Sequence, residues 1–76
     1  MLNPAEKDYF RALEALRRKE YRLATEHFDK AVPQFEKDGE FILLRETNRL
    51  LVSVATELAR LEEDNELQIE EIFTDG

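Results

Sequence analysis

The chain of 76 residues contains no cysteine and no tryptophan, a single histidine, two glycines and two prolines. The lack of cysteine removes disulfides and every thiolate-based zinc site. One histidine, His27, cannot make a transition-metal centre, because carboxylates on solvated faces hold such metals poorly. With Gly39 and Gly76 as the only glycines, a glycine-rich phosphate loop is impossible. The five serines and threonines have no Gly-x-Ser-x-Gly context and no neighbouring base. These absences argue against an enzyme and against any cofactor or metal, and they favour a structural role for His27. The start, MLNPAEKDYF, lacks the apolar run of a signal peptide, and no stretch is apolar enough to cross a bilayer. A cytoplasmic location with no membrane contact is the expectation.

Charge is abundant instead. Charged residues make up 38% of the chain, and with so little glycine and proline this composition favours helix over sheet or disorder. The net charge of −7 is confined to one end. Acids and bases balance, eleven of each, from Met1 to Leu61. From Glu62 onward there are seven acids and no base. Phosphate recognition needs a basic surface, so nucleic acid is not the expected partner. The one basic concentration, Arg17, Arg18, Lys19 and Arg22, reads as cations complementing the dipole at the end of a helix.

Asn3-Pro4-Ala5-Glu6 is a helix start: an amide-capping side chain, a proline at the first helical position and a carboxylate three residues beyond the cap. A first helix is expected from Pro4 to about Arg18, with Tyr9, Ala12, Leu13 and Leu16 on one stripe and Phe10 flanking it. A turn at Lys19-Glu20, inferred from the pattern that restarts at Tyr21, leads to a second helix. Pro33 should kink or end that helix, Gln34 to Lys37 continuing it beyond a kink, and Asp38-Gly39 is the strongest stop signal in the chain. A third helix is expected over about Glu40 to Glu63. Arg45, Glu46, Arg49, Glu57 and Arg60 form its narrow polar side, while its apolar residues spread over roughly 200° of arc, about twice what a singly buried stripe needs. The surplus requires a cover. Within the chain the candidate is the segment after Glu63, where Asp64 or Asn65 could cap a short acidic helix from Glu66 to Phe73 carrying Leu67, Ile69, Ile72 and Phe73. That segment either caps the third helix or occupies a groove until a partner or second copy displaces it.

In EYRLATEHFDKAV, Tyr21, Ala24, Phe28 and Ala31 lie three, four and three residues apart. Small residues at Ala24 and Ala31 admit a neighbouring backbone, and Phe28 fills the space between them. This aromatic-small-aromatic-small spacing resembles the second helix of a tetratricopeptide repeat, and FRALEAL, with Ala12, resembles the first. The resemblance covers residues 5–38. Lys19 stands where that family's turn carries glycine, Pro33 comes earlier than its terminal proline, and the third helix is longer than a repeat helix. A three-helix bundle with a small-aromatic second helix and a long third one also looks like a microtubule-interacting and transport domain. Both likenesses imply binding of a protein or peptide.

The expected fold is therefore all-α. A small antiparallel bundle over residues 1–63 combines a tetratricopeptide-repeat-like hairpin with a long third helix, and an acidic helix or tail follows over 64–76. The expected function is non-enzymatic protein–protein interaction, as an adaptor or small scaffold. An apolar groove between the first and third helices, at Tyr9, Leu13, Leu16, Leu44, Leu51 and Leu58, would receive a peptide or helix. Lys7, Arg11 and Arg18 would form a basic rim that steers acidic partners. The alternative is a structural, self-associating subunit that forms a homodimer through its third helix.

Overall fold

The computed structural model describes the backbone of residues 3–74 and the side chains of residues 3–63. It contains three helices in chain order, α1 (Pro4–Arg17), α2 (Tyr21–Asp38) and α3 (Phe41–Thr74), and no strand among the described residues. The protein is a small all-α bundle.

α1 begins as its sequence requires. The Glu6 amide donates to Asn3 Oδ1 at 2.9 Å, and the Asn3 side-chain amide returns a bond to Glu6 Oε1 at 3.1 Å. Pro4 loses nothing there, since the first helical amide has no partner within the helix. Both connections then use one device. At the end of α1 the Lys19 amide donates to Leu16 O and the Glu20 amide to Ala15 O. At the end of α2 the Gly39 amide donates to Glu36 O and the Glu40 amide to Phe35 O. This pair of bonds closes orphan carbonyls and requires a left-handed residue at its centre. Gly39 takes that conformation with φ of 70°, and Lys19 takes it with φ of 61°. Glycine adopts it freely, whereas a residue with a Cβ is strained by about 1–2 kcal/mol.

Antiparallel packing of α1 on α2 follows from matched seven-residue spacings. Ala5 and Ala12 recur on α1, while Ala24 and Ala31, and Phe28 and Phe35, recur on α2; all six are buried. Ala12 and Ala15 gather with Ala24 and Phe28 in one cluster, and Ala5 with Ala31 and Phe35 in the other. Tyr9 joins the clusters, its ring edge-on to both Phe28 and Phe35 at about 6 Å. The polar tie across the seam is His27 Nδ1 with Asp8 Oδ1 at 3.0 Å, which gives the histidine a structural role.

α3 reverses again and packs on α2: Leu43 and Leu44 lie against the Phe35 cluster, Leu50 and Leu51 against the Phe28 cluster. α1 and α3 consequently run parallel, with α2 contacting both. Thr47 is buried on α3's inner stripe with its polar group satisfied, because its hydroxyl donates to Leu43 O at 2.7 Å.

Of the two alternatives at Pro33 the helix takes continuation to the expected stop, and one boundary differs from the sequence expectation. α2 passes through Pro33 to Asp38 without ending. Pro33 is exposed, and the complete burial of Phe35 holds the final turn in place. The separate fourth helix is not formed. α3 continues through Asp64-Asn65 to Thr74 as one helix of 34 residues. Between Leu61 and Phe73 there is neither glycine nor proline, and glutamate, a strong helix former, predominates; Asp64 and Asn65 do not outweigh it. The side chains of Leu67, Ile69, Ile72 and Phe73 lie outside the described residues.

Urea denaturation tests both features. Ala24→Leu should destabilise by about 1–3 kcal/mol through overpacking of the α1–α2 seam. Lys19→Gly should stabilise by about 0.5–1 kcal/mol by releasing the strained turn.

Candidate interaction surface

Parallel α1 and α3, joined by α2 on one side, leave a trough between them. Its floor is made of Tyr9, Leu13 and Leu16 from α1 with Leu50 and Leu51 from α3, all packed on the Ala12–Phe28 cluster and all only half-buried. Leu43 and Leu44 extend it toward the start of α3. Phe10, edge-on to Tyr9, is 52% exposed at its margin. Nothing in the chain's described residues covers these side chains further.

The residues expected to bind a partner are divided by the fold. Tyr9, Leu13, Leu16 and Leu51 come together in one cluster, and Leu44 meets Tyr9 in the other. Leu58 is half-buried and belongs to neither. Lys7, Arg11 and Arg18 are exposed as expected. Arg11 and Arg18, however, line a different depression, shared with Glu14, Ala15, Glu20, Leu23 and His27 along the α1–α2 seam. There Arg18 is held by Glu14 at 2.9 Å, so this rim is not that of the α1–α3 trough. Near Tyr9 the trough takes mixed charge from α3 instead, as the ion pair between Glu46 and Arg49.

Leu43 and Leu50 were not assigned to the groove from sequence. They recur seven residues apart, one position ahead of Leu44 and Leu51. Either line suits an amphipathic helix, and in the fold both Leu50 and Leu51 pack on the cluster that Leu13 also covers.

Tyr9 carries the site's clearest electrostatic signature. Removal from water raises its phenol above the usual value of 10.0, the Glu46 carboxylate raises it further, and Arg49 opposes both. Glu46 is thus close enough to sense Tyr9 from across the α1–α3 trough. Among the described residues no group of His, Asp and Glu is arranged to hold a metal ion. No helix there is long and apolar enough to cross a membrane. No buried side-chain nitrogen or oxygen lacks a partner among them. No protein-family model, curated protein or solved structure matches the chain.

The raised phenol has a pH consequence. The folded state favours neutral Tyr9, so its contribution to stability is complete below pH about 10 and is lost as pH rises through the folded-state value. A phenolate titration should show one late-ionising tyrosine, and Tyr9→Phe should abolish it. A late component that persists in this variant would place the shifted phenol elsewhere.

Proposed function

We propose that the protein is a non-enzymatic interaction module, an adaptor or small scaffold, whose α1–α3 trough receives an amphipathic helix from a protein partner. The observation that carries this reading is the half-burial of Tyr9, Leu13, Leu16, Leu50 and Leu51 beside exposed Phe10. These residues supply apolar contact on a scaffold already held by the Ala–Phe seam behind them, so binding need not organise the site first. Along α1 the trough runs from Tyr9 to Leu16, about 10 Å or roughly two helical turns. Such a groove selects anchors spaced three, four and seven residues apart. Alternating Glu and Arg along α3 would set the register of the bound helix more than its affinity. The tetratricopeptide-like spacing at Tyr21, Ala24, Phe28 and Ala31 agrees with a peptide-holding role, since it specifies the hairpin that supports one wall.

Peptide-display selection on the folded protein tests the reading, with enriched sequences resynthesised and titrated by calorimetry. Enrichment of helical peptides with that anchor spacing is expected. Their affinity should fall by about tenfold or more in Phe10→Ala and Leu50→Glu, a loss of some 1.4 kcal/mol per tenfold step. Circular dichroism of each variant separates lost binding from lost fold. Failure to enrich such peptides, or affinity untouched in folded Phe10→Ala, rejects the trough as the binding site.

A further inference from the structure

We infer that, when no partner is bound, α1 of a second copy of this chain lies in the trough, the two α1 helices running antiparallel about a two-fold axis. This rests on the trough accepting a helix, as proposed above, and names its default occupant. The observation is a stripe along α1 at the edge of the trough. Glu6, Phe10, Leu13 and Arg17 follow one another at steps of four, three and four residues. At 100° per residue they stay within about 60° of the helix circumference. Leu13 joins the stripe to the trough floor, where it packs on the Ala12–Phe28 cluster, and Phe10 stands edge-on to Tyr9.

The fold leaves these four side chains free to make further contacts. Phe10 is 52% exposed and Leu13 is only half-buried. The ion pairs of the described residues involve neither Glu6 nor Arg17. Arg17 is exposed, whereas its neighbour Arg18 is held by Glu14. Glu6 accepts from the Asn3 side-chain amide through Oε1, which leaves its charge uncompensated by any cation.

The order acid, apolar, apolar, base identifies the occupant as another copy, because in reverse the stripe is its own complement. Two α1 helices crossed antiparallel at the level between Arg11 and Ala12 set Phe10 of each copy against Leu13 of the other. The same crossing sets Glu6 of each copy against Arg17 of the other. A parallel pair would instead oppose Glu6 to Glu6 and Arg17 to Arg17. The antiparallel contact is made twice and closes on itself. Since α1 and α3 are parallel, the entering helix opposes both walls, and its positive end lies beside their negative ends. An α1 seated there covers Leu13 and Phe10, so self-association and partner binding compete for one trough.

Sedimentation velocity with charge-swapped chains tests it. The wild type should show a monomer–dimer equilibrium. Glu6→Arg and Arg17→Glu should each weaken association about tenfold or more, because each sets like charges against one another twice. Mixed, the two variants should form a heterodimer in which every facing pair is again opposite, an outcome that misfolding of either could not produce. Phe10→Cys and Leu13→Cys chains, in a protein with no other thiol, should cross-link to each other on oxidation faster than either does to itself. Peptides selected on the trough should dissociate the wild-type dimer. A wild-type chain that stays monomeric at high concentration in low salt overturns the inference and leaves the partner-binding reading standing. Charge swaps that neither weaken nor restore the dimer overturn it, as does a dimer that binds those peptides without dissociating. A restored heterodimer from chains for which selection yields no peptide supports the inference and rejects the adaptor reading alone.

Discussion

The close seating of α1 on α2 is the contact from which the rest of the architecture is built. Ala5 and Ala12 meet Ala24 and Ala31 where any larger side chain would hold the two backbones apart, and Phe28 and Phe35 fill the intervals between them. A chain this short buries only about 60–65% of the surface its unfolded form exposes. It therefore depends on a few fully enclosed groups, each phenylalanine contributing about 1.5–3 kcal/mol when buried. The same two rings present their far side to Leu43, Leu44, Leu50 and Leu51, so the seam also positions α3. Tyr9 links the levels, its ring packed against both phenylalanines while its phenol senses Glu46 and Arg49 on α3.

The distribution of apolar surface is what separates this bundle from a closed one. α2 is enclosed from two sides, and its buried residues are complete in themselves. α3 is not. Phe41 is 71%, Ile42 84% and Val52 68% exposed, on positions away from the stripe that meets α2. Scattered exposed apolar residues are ordinary, but here they accompany a half-covered trough and a helix that outruns its support. Each of these three features lies along α3.

Much of this was legible in the sequence, and for identifiable reasons. The Asn3-Pro4-Ala5-Glu6 start and the Asp38-Gly39 stop are governed by local chemistry, and both stand in the structure where that chemistry puts them. Ala24 and Ala31 were readable as contact points because small residues at helical spacing have little other use beside a phenylalanine. The continuation past Pro33 and the one misread boundary share a cause, since each is a local breaker outweighed by its surroundings. Burial of Phe35 carries α2 across Pro33, and a run of strong helix formers carries α3 across Asp64-Asn65. The groove was half legible. Its α1 wall follows from one amphipathic stripe, whereas on α3 two adjacent leucine lines, Leu43 with Leu50 and Leu44 with Leu51, both pack on the clusters, an arrangement that no local pattern encodes.

The turn device that ends α1 and α2 centres on residues twenty apart, Lys19 and Gly39. Another step of the same length would fall at Ala59, where α3 is unbroken helix. A zigzag of equal strokes could be prolonged by stacking stroke upon stroke. Running straight through that point turns the third stroke from a stair into a handrail: it gives up a site for the next fold of the chain and gains a projecting arm.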